Sequence, residues 1–254
     1  MRCRKNVKDL SQDEKDAFIQ AIEGLKAQDS TLHPGFQSRY DDYVEIHRSA
    51  MDAAVIAAGG TVTNPGWGHF DSAFFPWHRE LLFRFEEELR AIKPGVTIPY
   101  WDWTRGQSAL STAWPFTHAF IGVDGTDANA DRVMREPGAP SPYPHEFDPE
   151  AWTVVVTDNP GDPVVLRRAF GERSDAPGLP TNDADVTGTG TNYREAIGSA
   201  TYLLLRARSE DLHNLVHRWA NGSMISASSP NDPVFWMHHA QHDRMWTMWQ
   251  EKHP

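Results

Sequence analysis

Histidine sits on the apolar stripe of one helical pattern after another, and this restricts the chain more than any other feature. In DLHNLVHRW, His213 and His217 stand four residues apart, which on a helix puts both imidazoles on one face, one turn apart. In FWMHHAQHD, the positions Phe235, His239, His242, Trp246 and Trp249 share a stripe, so His239 faces the interior. His238 lies about 100° round the helix from it, toward other packing or solvent. His47 falls between Val44 and Met51 on one apolar face, and His78 begins the stripe that continues through Leu81, Leu82, Phe85 and Leu89. His69 precedes His78 by nine residues, in a loop segment, GWGHFDSAFFPWH. A lone histidine on an apolar face is ordinarily a satisfied core residue, and a lone i, i+4 pair is often a surface accident. Two inward sets of three, drawn from four helices, are not explained by packing.

The donor chemistry narrows the metal. The 254 residues contain 12 His and a single cysteine, Cys3, which excludes a disulfide framework and any cysteine-rich zinc or iron–sulfur site. Neutral imidazole suits copper, zinc, iron and nickel. A di-iron carboxylate site needs an inward stripe of Asp or Glu, and none accompanies these histidines. All-imidazole ligation points to copper. The net charge of −11 argues against nucleic acid or anionic lipid as a partner. The longest apolar runs, 53–58 and 202–205, are too short to span a bilayer. Met1–Asp9 is polar and leads into no apolar run, so no signal peptide is expected, and the protein is cytoplasmic or exported with a partner.

The ends of the chain are helical in pattern and the middle is not. Ser11 to Glu14 fits a capping box opening a helix to about Gln28. A second pattern covers Gln37 to Ala58, and a third covers Pro76 to Ile92 with Pro76 at the first helical position. Ile98 to Trp103 is short and extended. Thr104 to Asn192 is rich in Pro, Gly, Asp and Thr and is expected as long loops, with one β-hairpin pairing Trp152–Val156 with Pro163–Leu166. Such a long loop region is functional or packed down by other elements. Helices are expected again over Tyr193–Ala207, Glu210–Asn221, and from after Pro233 to Lys252. With no linker or repeat, residues 1–254 are expected as one mainly α domain, an antiparallel four-helix bundle with irregular loops and little β structure.

Two longer motifs resemble a known family. His69-x8-His78 with FPWHRELLFRFE and then IPYWDW resembles the first copper region of tyrosinases. HNLVHRW followed by SPNDPVFWMHHAQHDRMW resembles the second, and Arg4 to Val7 is similar to the N-terminal segment. The resemblance runs from about Arg4 to Gln250, more loosely through the middle loops. It implies a dinuclear type-3 copper centre, with one copper on His47, His69 and His78 and the other on His213, His217 and His239. The family pattern uses the second His of the pair, so His238 and His242 are not ligands. It further implies a small phenolic substrate and O2 as co-substrate, with o-diphenols oxidised to o-quinones and monophenols hydroxylated at the ortho position. The same scaffold serves catechol or o-aminophenol oxidases with little monophenol activity, and haemocyanin-like O2 carriers, which need a shielded site.

The resemblance also suggests surroundings for the metals. Asn214 helps hold a water that acts on the phenol proton, or else makes a local hydrogen bond. The carboxylate that usually partners this water is replaced by Leu or Arg in YLLLRARSEDLHN, leaving Glu210 and Glu195 as the nearest acids. Arg218 orients an acidic substrate at the mouth or is an exposed helix residue. Ser226, with Ala227 and Ser228, implies an open entrance. Phe235 packs on a ligand ring or simply in the core. Asp243 orients a ligand or pairs with Arg4 or Arg79, the pairing being favoured. Some short bacterial members need a helper protein to load copper. Oligomeric state is left open.

Overall fold

The computed structural model describes residues 3–57, 68–69, 71–104, 115–117, 120–122, 147, 151–158, 165–176, 178–181 and 191–254, without the side chains of 52–57. Among the described residues the α-helices are α1 (Gln12–Ala27), α2 (Arg39–Ala57), α3 (Phe74–Ile92), α4 (Tyr193–Ile197), α5 (Tyr202–Ala220) and α6 (Val234–Lys252). The fold is mainly α, and α2, α3, α5 and α6 form the four-helix bundle that carries the histidines other than His69, which lies in the irregular segment ahead of α3. Helix α3 packs against both α1 and α6, and α5 packs against α6.

Local chemistry sets the helix ends. Ser11 Oγ accepts from the Glu14 N–H, and the Glu14 carboxylate accepts from the Ser11 N–H at 2.8 Å, so two orphan donors at the start of α1 are satisfied reciprocally. Helix α3 begins at Phe74, two residues before the expected start. Pro76 is tolerated there because the first-turn N–H groups have no helical acceptor in any case. The expected break between residues 207 and 210 is absent. The chain instead interrupts the helix at Gly198, and Thr201 recaps it by accepting from the Leu204 N–H. Thr201, whose side chain can accept from a first-turn N–H, stands just ahead of the apolar run 202–205 and starts the continuous helix there.

The core is aromatic. Trp236 stacks on Phe85 at 3.7 Å, and the Tyr40 hydroxyl donates to the Pro230 carbonyl while accepting from the Trp236 indole N–H. The loop region is packed down onto this core through Phe116, Phe120, Phe147, Trp152 and Leu166, all buried. Among the described residues the expected hairpin shows one isolated antiparallel bridge between Thr153 and Val165, and residues 159–164, including Pro163 and its neighbour, lie outside the described set. Of the IPYWDW segment, Tyr100 makes a parallel bridge with Asn6. No described helix is long and apolar enough to cross a membrane.

Candidate metal centre

The two triads lie face to face in the bundle. The rings of His47, His69 and His78 have centroids 4.7 to 5.8 Å apart. Those of His213, His217 and His239 are 4.3 to 5.7 Å apart. Across the gap, His78 stacks on His239 at 4.2 Å and His69 stands 5.5 Å from His213. All six are buried.

Backbone carbonyls orient the rings. His47 Nδ1 lies 2.7 Å from the Ala227 carbonyl, His78 Nδ1 2.8 Å from that of Phe74, and His217 Nδ1 2.6 Å from that of Met224. A carbonyl can only accept, so each Nδ1 carries the proton and each Nε2 keeps its lone pair. Those three Nε2 atoms are buried and have no hydrogen-bond partner. Donors bared in this way, with the far nitrogen fixed by a second hydrogen bond, are what a metal-binding imidazole requires. The Met224 carbonyl reaches His217 through a tight turn at Gly222, whose φ is +51°. A Cβ there would sit 2.3 Å from the Arg167 carbonyl oxygen, so only glycine fits. Ala227 is itself held by Asp158, which accepts from its N–H at 2.8 Å.

Burial keeps the rings neutral. It lowers His47 to about 3, against the opposing hydrogen bond to Ala227, and His217 to about 4, against the one to Met224. His69, His78, His213 and His239 are lowered well below 6.5, chiefly by burial and then by neighbouring histidines. Neutral rings are the ligating form.

The third donor of the second group has two claimants. His213 Nε2 and His239 Nε2 lie 3.1 Å apart, which corresponds to an angle of roughly 100° at an ion with ~2.0 Å metal–nitrogen bonds. The second set whose ligating nitrogens all lie within 4.8 Å of one another is His213, His217 and His238, as the first is His47, His69 and His78. His238 is fully buried, so of the two surroundings expected for it, packing or solvent, it has packing, with its ring 5.1 Å from His213 and 5.0 Å from His217. His242 is buried as well. No Asp or Glu enters either set, so the donors fit a pair of copper ions rather than a carboxylate-bridged centre.

The remaining candidates take varied positions. Phe235 touches both halves, its ring 4.8 Å from His47 and 4.1 Å from His239. Asn214 Oδ1 accepts from His213 Nδ1 at 3.0 Å. Arg218 faces Asp175 at 3.8 Å. Ser226 and Ser228 hydrogen-bond through their hydroxyls at 2.9 Å. Asp243 pairs with Arg4 at 2.8 Å and with Arg79, at a cleft that also includes Glu86 and Arg244. Glu210 pairs with Arg206 at 2.7 Å, and Glu195 closes the capping box of α4. The carbonyls of Phe74, Met224 and Ala227 left no signal in the sequence, because every residue has one and only the fold aims it.

Comparison with known proteins agrees with this geometry. Residues 37–252 match the model of the common central domain of tyrosinase. The tyrosinase of Streptomyces glaucescens is 34% identical over 268 residues, spanning all of this chain and 84% of its own length. The grixazone synthase of Streptomyces griseus is 30% identical, spanning all of this chain and 86% of its own. A polyphenol oxidase of Thermothelomyces thermophila has the same fold, with a TM-score of 0.66 at 22% identity, covering 97% of this chain and 69% of that one. With two facing sets of buried imidazoles and a family match across most of its length, the chain belongs to the tyrosinase family of copper-dependent oxidoreductases.

Proposed function

We propose that the protein is a single-domain dicopper phenol oxidase, which uses O2 to oxidise o-diphenols to o-quinones and to hydroxylate monophenols at the ortho position. The observation that carries this is the pair of facing triads of neutral, buried imidazoles. His47, His69 and His78 would hold one copper ion, and His213, His217 and His239 the other. When bound, the two ions supply the redox centres at which O2 and the phenol exchange electrons. The chain's own contribution is orientation and exclusion of water. Carbonyls hold the rings of His47, His78 and His217 in one tautomer, Asn214 does the same for His213, and Phe235 fills the space between His47 and His239 with an apolar ring. Arg218, 35% exposed at its side chain and 3.8 Å from Asp175, would steer an acidic phenol. A copper-loading helper protein would be the partner in assembly.

A second reading, a catechol or o-aminophenol oxidase with little monophenol activity, is favoured by one observation. A monophenol must lose its proton before it reaches copper, and two of the acids upstream of His213, Glu210 and Glu195, are engaged elsewhere, Glu210 by Arg206 and Glu195 by its capping box. Parallel assays on the copper-loaded protein with a monophenol, an o-diphenol and an o-aminophenol separate these readings. Turnover of all three supports the first. Loss of the monophenol reaction alone leaves the second. A protein that binds O2 and turns over none of them is a carrier, and both readings fail.

A further inference from the structure

Two imidazoles beside the centre are left over by it. His238 and His242 stand one turn apart on α6, 0% and 2% exposed; neither nitrogen of the His242 ring has a hydrogen-bond partner, and the His238 ring has only the His213 backbone within reach. An unsatisfied buried polar group costs about 1–3 kcal/mol, and native structures keep few of them without an ion, a water or a function to account for them. Here they come as a pair on one face of one helix. Trp103, whose indole N–H also lacks a partner, closes one side, its ring 5.5 Å from His242 and 6.1 Å from His238.

The pair has the geometry of the recognised ligands. Its ring centroids are 4.8 Å apart, against 4.7 Å for His69 and His78 and 4.3 Å for His213 and His217. The i, i+4 spacing is the same as that of His213 and His217. His213 stands 5.1 Å from His238 and 5.4 Å from His242, so the pair adjoins the second triad. We infer that His238 and His242 hold a copper(I) ion in addition to the two of the dinuclear centre. The donor set selects the ion. Two neutral nitrogens in a dry aromatic setting suit a soft monovalent ion that accepts few ligands. A doubly charged ion in the same place would need more donors and a compensating charge.

This rests on the dicopper reading, with His239 rather than His238 completing the second triad. The metal-free chain is titrated anaerobically with copper(I) against a coloured copper(I) chelator, and the ions retained per chain are counted. The native chain is expected to retain three. His242→Asn, which keeps a similar shape, and His242→Phe, which keeps the aromatic packing, should each retain two, with the native circular dichroism spectrum. X-ray absorption of the native chain should carry a two-coordinate copper(I) edge feature that both variants lack. Two ions on the native chain would overturn the accessory site and leave the dinuclear centre standing. Fewer than two would overturn the dinuclear centre and this inference with it. Three ions on either folded variant would show that the pair is not the site.

Discussion

His47, His78 and His217 each commit one ring nitrogen to a backbone carbonyl, so their tautomers are set before any metal arrives. His239 has no such partner at Nδ1, and its place is set by stacking on His78 and packing on Phe235. The assignment of His239 can therefore be tested at single-residue resolution. His239→Ala should lose the near-ultraviolet absorption that the copper-loaded protein develops with hydrogen peroxide, whereas His238→Ala should retain it. The reverse result would make His238 the ligand. Sequence spacing singled out the inward histidines because helical period alone decides which face a residue occupies. It left open whether His238 meets packing or solvent, and packing is the outcome because residues 234–242 of α6 are buried on every side.

Helix α6 carries His238, His239 and His242, and its start is pinned by a buried ion pair. Asp232 Oδ1 accepts from the Val234 N–H at 3.0 Å, and both its oxygens receive Arg168 at 2.7 Å. Arg168 also donates to the carbonyls of Ile121 and Gly122. Neither ionic side chain is exposed at all. Removing one partner leaves a buried uncompensated charge, which costs about 3–5 kcal/mol. Asp232→Ala should lower the unfolding free energy obtained from urea titration by that amount, and Asp232→Asn, which keeps an acceptor for Arg168 and Val234, by less. The sequence announces α6 through Asn231-Asp232-Pro233, which reads as a helix start. It is silent on Arg168, 64 residues away in an irregular segment, because no local pattern records a long-range pairing.

For the molecule as a whole, burying so many imidazoles makes stability depend on pH. An unfolded histidine takes up a proton near 6.5, while in the fold His47 and His242 do so only at about 3 and His217 at about 4, burial being the main cause in each. The folded pKa values are depressed, so the metal-free unfolded chain binds more protons on the acid side. Stability is full above about pH 6.5 and falls as the pH drops toward 3, by about 1.4 kcal/mol per pH unit for each such ring. Urea midpoints of the metal-free protein measured from neutral pH downward should fall steadily through this window, and a flat profile would contradict neutral burial. Bound copper should be released over the same window, because protonation competes with ligation. By itself the sequence determined the helices, the inward histidines and the all-imidazole character of the donors, since these follow from period and composition. Only the tertiary structure decided which carbonyls orient the rings, how the two triads face one another, and that His238 is buried beside them. The Ala227 carbonyl on His47 and the facing of the two triads join segments far apart in the chain, and they exist only once the bundle has closed.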